Sequence, residues 1–321
     1  MGQDVGLAAM GLGPFWKVAE RTGIVQARRY RARLPWPAPT PGPELVAYRR
    51  GMHSVRLIDR WPVKHAATAV VSGNGVIGSH GDLERTYALA SLTKLLTAYA
   101  TLIAVEEGAV GLDDPAGPPG ATVRHLLAHA SGLDASTRKV RLAPGTRRIY
   151  SNAGFEVLAE TVEQRSGIPF ASYVREGVLE PLGMDATTFD GSPAAGATSS
   201  AADLARFAAE LQRPALLDPG TLAQATDVAF PGLPGVLPGF GRHRPNDWGL
   251  GFEIRDDKAP HWTGATSSPR TFGHFGQSGT FLWVDPDALV ACVTLTDRAF
   301  GQWAALEWPR YTDAVLAEVR G

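Results

Sequence analysis

Between residues 91 and 107 apolar side chains recur at helical spacing: Leu92, Leu95, Leu96, Tyr99, Leu102 and Ile103, with Gly108 following as a stop. The run is apolar on more than one face, which predicts a helix packed on several sides in the interior of a domain. Further helices are predicted over 123–129, over 153–166 with closure at Gly167, over 170–179, and over 201–212. Ser200 and Asp203 open the last of these in a capping-box-like pair.

At both ends of this helical stretch the period changes to that of strands. Residues 67–71 and 76–78 flank Gly73-Asn74-Gly75, a hairpin signal. Short β-rich runs follow over 249–254, 271–275, 280–284 and 289–296, divided by Gly, Pro and Asp, and a terminal helix is predicted over 304–319. Strands on either side of a helical middle predict an α/β (α+β) fold, one antiparallel sheet flanked by helices with a helical insertion. The start of the chain reads differently. Arg28, Arg29, Arg31 and Arg33 crowd together, and Pro35, Pro37, Pro39, Pro41 and Pro43 alternate after them, which favours extended backbone. The expected organisation is an arm over 1–55 and a body over 56–321, with 56–114 and 240–321 as its sheet part and 115–239 as its helical part.

Composition narrows the function classes. The 321 residues are 44% hydrophobic, enough for a large core, and 31 basic residues face 32 acidic ones. A net charge of −1 provides no general attraction for nucleic acid. One cysteine makes neither an intramolecular disulfide nor a cysteine-rich zinc site, and Cys292, inside ALVACVTLT, reads as a buried strand thiol. No apolar run reaches the length of a membrane span. The N-terminal candidate over 5–16 is short, glycine-rich and without a basic flank, so no secretory signal is evident and a cytoplasmic location is expected, unless the start site is misassigned.

The sharpest chemical feature is Ser91-Leu92-Thr93-Lys94, opening the central helix. Residues three apart share a helix face, so the hydroxyl and the amine can approach each other. Serine needs a neighbour to take its proton, and a desolvated lysine can be that neighbour. The same pattern at Ser136-Thr137-Arg138-Lys139 has no apolar helix behind it and reads as chance. Two companions follow in order. Tyr150-Ser151-Asn152 stands fifty-nine residues after Ser91, just ahead of a predicted helix, and His274-Phe275-Gly276 stands at a strand end before Gln277. A tyrosine beside a lysine can exchange protons, an asparagine amide both donates and accepts, and glycine lets another group approach the backbone. His125 and His129 have the i, i+4 spacing of a metal pair but lack the zincin glutamate, and read as structural. Arg147 and Arg148 read as exposed turn residues.

In this order the three elements resemble the serine β-lactamase and penicillin-binding-protein superfamily. The likeness is closest to its class C β-lactamase-like branch of carboxylesterases and D-peptidases. Supporting segments are HLLAHASGL from His125, PGTRRIYSN from Pro144, VLEPLGM from Val178, SAADLARF from Ser200 and WGLGFEI from Trp248. The resemblance implies Ser91 as acylated nucleophile, Lys94 as its proton partner, Tyr150 as general base and acid to the leaving group, and Asn152 on the substrate's carbonyl side. His274 takes the place of the lysine of the K-T-G triad, with Gly276 as its glycine, and the oxyanion hole falls on the backbone N–H groups of Ser91 and Gln277. Trp262-Thr263-Gly264 offers another T-G, followed by a loop and not a strand. Neither metal nor organic cofactor is required.

The reading is a serine hydrolase taking a small-molecule ester or amide, with carboxylic esters favoured. Histidine at 274 weighs against efficient β-lactam hydrolysis. Two alternatives stand beside it: a D-amino-acid peptidase, DD-carboxypeptidase or weak β-lactamase using the same residues, and a non-catalytic acyl-binding protein of the same fold. The natural substrate, the oligomeric state and the role of the arm are open.

Overall fold

The strands read from the two ends of the chain meet in a single sheet. A computed structural model describes residues 51–321; the arginine- and proline-rich run lies outside the described residues. The first described element is a 3₁₀ turn, Ser54–Arg60, which packs against the sheet and is tied by the His53 and Ser54 N–H groups to the Glu318 carboxylate. The strands are β1 (Ala66–Ser72), β2 (Gly75–Gly81), β3 (Thr86–Ala88), β4 (Thr198–Ser200), β5 (Gly235–Leu237), β6 (Gly241–His243), β7 (Glu253–Ile254), β8 (Phe272–Gly276), β9 (Thr280–Asp285) and β10 (Val290–Thr296). Six of them form the main sheet in the order β2-β1-β10-β9-β8-β7, every neighbouring pair antiparallel.

The helices are α1 (Thr93–Glu106), α2 (Val123–Leu127), α3 (Asn152–Ser166), α4 (Phe170–Val174), α5 (Glu180–Leu182), α6 (Ala201–Gln212), α7 (Pro219–Ala225) and α8 (Gln302–Arg320). No described helix is long and apolar enough to cross a membrane. The sheet is covered on both faces, which is why its central strands read as unbroken apolar runs. Ala69, Val71, Ala291, Val293 and Leu295 face α1 and α6, while Val70, Val290 and Cys292 face Trp308, Val315 and Leu316 of α8. The lone thiol is therefore a buried strand residue, as expected. Each large apolar side chain so enclosed contributes ~1.5–3 kcal/mol. Beneath α8, Thr68 Oγ1 donates to Val293 O at 2.9 Å and meets Tyr311 OH at 2.7 Å, fixing the helix against the sheet.

The central helix is as enclosed as its pattern predicts: Thr93 through Ala104 are all buried. Its start differs. Residues 90–92 form a 3₁₀ turn, and Ala90 has φ 46°, so Ser91 stands ahead of the α-helix and not in its first turn. In a 3₁₀ turn positions three apart eclipse, which keeps Ser91 and Lys94 on one side. The predicted helix over 123–129 stops at Leu127, because His129 turns left-handed at φ 54°. The helix over 170–179 becomes π-helical from Arg175 to Leu179. Only Glu253–Ile254 of the run 249–254 pairs as a strand, since Gly249 and Leu250 donate instead to Phe252 O and Ala225 O. Ser200 caps α6 by accepting from Asp203 N–H at 3.1 Å.

Candidate active site

The Ser91 turn is bolted to the sheet. Thr280 Oγ1 donates to Leu89 O at 3.0 Å, and a Cβ on Gly276 would lie 2.1 Å from that same oxygen. Only glycine lets β8 come this close. The freedom of Gly276 is thus used by the backbone behind the nucleophile. This packing brings the end of β8 alongside Ser91, and the backbone N–H groups of Ser91 and Gln277 donate to no other group among the described residues. Two such donors from adjoining segments are what an oxyanion requires.

Lys94 is fully buried. Its Nζ donates to Asn152 Oδ1 at 2.6 Å and to Ala194 O at 2.8 Å, and sits 4.7 Å from the centre of the Tyr150 ring. Among the described residues no carboxylate pairs with it directly, and burial lowers its pKa to about 7, with Glu156 pulling the other way. The amine is therefore neutral for a substantial part of the population at neutral pH. Because Oδ1 of Asn152 is engaged by Lys94, its Nδ2 is left to donate toward a substrate carbonyl.

Tyr150 is carried on a segment gripped from both sides. The Ile149 N–H donates to His129 O at 2.9 Å and the Ser151 N–H to His129 Nδ1 at 3.1 Å, while the His129 ring stacks 4.6 Å from that of Tyr150. Ser151 then caps α3 by accepting from Gly154 N–H. His129 is a positioning group for the tyrosine, and the His125 ring packs against that of Phe230 at 4.4 Å, tilted by 31°. Burial raises the pKa of the Tyr150 hydroxyl, and a hydrogen bond with Ser91 pulls the other way. Burial thus favours the protonated phenol, and of the two groups Lys94 is the more readily deprotonated.

His274 faces Tyr150, with Nε2 3.4 Å from its hydroxyl. Nδ1 lies 2.6 Å from Phe275 O, an acceptor only, so Nδ1 carries the hydrogen and Nε2 is the acceptor. Burial, then the charge of Lys94, hold its pKa down at about 3, so the imidazole is neutral. Ser91, Tyr150, His274 and Gln277 open onto one cavity of about 150 Å³. Its remaining wall is Leu237, Pro238, Trp248, Glu253 and Phe275. Glu253 is buried and fully engaged: its carboxylate accepts from Lys258, from His261 Nε2 at 2.9 Å and from Trp262 Nε1 at 2.9 Å. The Trp262-Thr263-Gly264 segment belongs to this supporting network.

One expectation is overturned. Arg148 is buried at 2% exposure and is no surface turn residue. Its guanidinium donates to Asn246 O and Ala128 O, each at 2.7 Å, to Phe230 O at 3.0 Å and to Ala229 O. Four carbonyls from three segments converge there, and only a planar fork with five donors satisfies them together. Ser136 and Lys139 lie in an exposed loop and line no part of this cavity. Sequence reasoning also missed the β5–β6 hairpin that carries Leu237 and Pro238, although Pro238-Gly239 is a turn signal that points to it. Nothing in the sequence marked the Ala194 carbonyl.

The sequence matches the beta-lactamase family model over residues 59–317. It is 58% identical to a beta-lactamase from Mycobacterium bovis, over 83% of this chain and 99% of that one, with a TM-score of 0.82. EstCE1, a hydrolase with promiscuous acyltransferase activity, shares the fold at 19% identity and a TM-score of 0.66, over 87% of this chain and 99% of its own. The D-alanyl-D-alanine-carboxypeptidase/endopeptidase AmpH of Escherichia coli (strain K12) is 30% identical over 175 residues, 40% of this chain and 46% of AmpH. The chain thus spans about half the length of the curated relatives it matches.

Proposed function

The chain belongs to the beta-lactamase family of serine hydrolases, and from that premise we propose that it is a carboxylesterase-like enzyme working through an acyl-enzyme on Ser91. The observation that carries this reading is geometric: a buried, partly neutral Lys94 has its Nζ 4.7 Å from the centre of the Tyr150 ring, and Tyr150 and Ser91 line one cavity. Ser91 Oγ attacks the ester carbonyl carbon, and its proton passes into the Tyr150–Lys94 pair. The new Oγ–C bond forms as the carbonyl oxygen takes up negative charge against the N–H groups of Ser91 and Gln277. The C–O bond to the alcohol then breaks, and the proton returns through Tyr150 to the departing oxygen. Water attacks the acyl-enzyme by the same route in reverse, giving the carboxylic acid and free Ser91. Asn152 Nδ2 holds the carbonyl side of the substrate.

Amide hydrolysis on β-lactam or D-alanyl substrates is the second reading, and it rests on the names of two relatives. Against it stands His274: a neutral imidazole with its only hydrogen turned to the backbone offers no charge to a substrate carboxylate. Labelling with a fluorophosphonate, followed by peptide mapping, tests the mechanism common to both. The label belongs on Ser91 and is lost in Ser91→Ala. Labelling of Ser136, or none at all, overturns it. A panel of chromogenic esters, a cephalosporin and D-amino-acid amides then separates the two readings by kcat/KM.

A further inference from the structure

The β5–β6 hairpin supplies Leu237 and Pro238 to the wall of the cavity beside Ser91. The hairpin is anchored twice. Arg148 N–H donates to Pro234 O at 3.0 Å, which ties it to the segment carrying Tyr150, and Phe240 packs against Phe275 and Phe300 at ring distances of 5.9 Å and 5.7 Å. Leu237 is 1% exposed and Trp248 2%, so this wall is a fixed apolar surface.

Which part of a substrate enters follows from proton transfer. The departing oxygen must come within hydrogen-bond reach of the group that returns its proton, and that group is Tyr150. Whatever the oxygen carries then lies beside Tyr150, on the Leu237, Pro238, Trp248, His274 and Phe275 side of a cavity that Ser91 and Gln277 line at the carbonyl end. Asn152, which holds the carbonyl side, does not line this space.

Resting on the Ser91 esterase reading, we propose that this cavity receives the alcohol part of the ester and selects alcohols that are uncharged, apolar and no larger than one aromatic ring, Leu237 setting the size limit. The volume bears on the size: about 150 Å³ is the room that one benzene-sized group fills. The lining decides the charge. It contains no lysine or arginine and His274 presents a bare lone pair, so a carboxylate entering here loses its water and gains no cationic partner from the wall.

Three acetates that differ only in the alcohol test this: phenyl acetate, 1-naphthyl acetate and 4-acetoxybenzoate, each kcat/KM divided by the hydroxide-catalysed rate constant of the same ester. Phenyl acetate is expected to exceed each of the others by about tenfold or more, the discrimination that a fitted apolar pocket provides. Leu237→Ala raises the naphthyl-to-phenyl ratio by about tenfold and leaves the ratio for 4-acetoxybenzoate unchanged. Leu237→Val, a smaller truncation, moves the same ratio in the same direction if the alanine variant does not fold. Parity among the three esters in the wild type, or a naphthyl-to-phenyl ratio indifferent to both Leu237 variants, overturns the pocket while leaving the esterase intact. Absence of any hydrolysis that depends on Ser91 overturns the esterase reading, and the pocket with it.

Discussion

Lys94 Nζ donates to Asn152 Oδ1 at 2.6 Å, joining the helix behind the nucleophile to the first residue of α3. The contact orients two groups at once. It turns the amine away from bulk water, and it fixes which end of the Asn152 amide faces the substrate.

The amine must be neutral to accept the Ser91 proton, and its pKa is about 7. Below that value Lys94 is charged and acylation stops; above it the rate is at its plateau. The kcat/KM for acylation therefore rises with pH through a midpoint near 7, read by stopped-flow release of the alcohol. Lys94→Arg, charged at every accessible pH, should show no such limb and no turnover.

Tyr150→Phe keeps the ring stack with His129 and removes only the hydroxyl. Loss of proton transfer at that position should lower acylation by about 10²–10⁴-fold with little change in melting temperature. Full activity in this variant sinks the assignment of Tyr150.

Arg148→Ala leaves the carbonyls of Ala128, Asn246 and Phe230 without their donor in the interior. A loss of about 3 kcal/mol or more is expected, as a lower urea midpoint at unchanged slope. Arg148→Lys recovers little of it, because a single ammonium cannot reach all the acceptors that the fork serves.

Gly276→Ala forces its methyl to within 2.1 Å of Leu89 O, two residues from the nucleophile. Such a variant is expected to lose its folded yield, or to fold with acylation lowered by about 10²-fold or more as the oxyanion donors shift. Gly177→Ala, with no atom closer than 3.9 Å, serves as the control and should behave as wild type.

The fold should also be acid-sensitive. His274 titrates at about 3 in the folded chain and near its ordinary 6.5 when unfolded, and His129 is likewise held down by burial. The unfolded state thus binds protons first as pH falls, so stability is lost from about pH 6.5 downwards toward 3. Thermal melts across that range should show a falling Tm, and the slope should be shallower in His274→Gln.

Much of this was legible in the sequence because it is encoded locally. Apolar runs of strand length located β1, β8, β9 and β10, and helical periodicity located α1, α3 and α6, since each element meets the core along its whole length. Ser91, Lys94, Tyr150 and Asn152 stood out through spacing and order. What escaped depends on contacts between distant segments. The three-residue strands β3, β4, β5 and β6 are too short to show a period. Arg148 looked like one more polar turn residue, because its four acceptors are carbonyls, which every residue possesses. The position of Ser91 in a 3₁₀ turn depends on the left-handed Ala90, a residue with no intrinsic preference for that conformation.

The Leu89 carbonyl accepts from Thr280, excludes any side chain at 276 and sits one residue before the left-handed Ala90; its own N–H reaches Ala197 O at 2.9 Å. Sheet, nucleophile turn and helical half are thereby pinned at one atom group, whereas the hairpin over 235–243 pairs only with itself, three residues a side, and is held from outside by the Arg148–Pro234 bond before it and by the Phe240 ring. The two regions therefore differ in how much of the catalytic centre a substitution in them disturbs. A laboratory library confined to residues 235–243 would vary the Leu237 and Pro238 wall while leaving the Leu89 contacts behind the nucleophile in place.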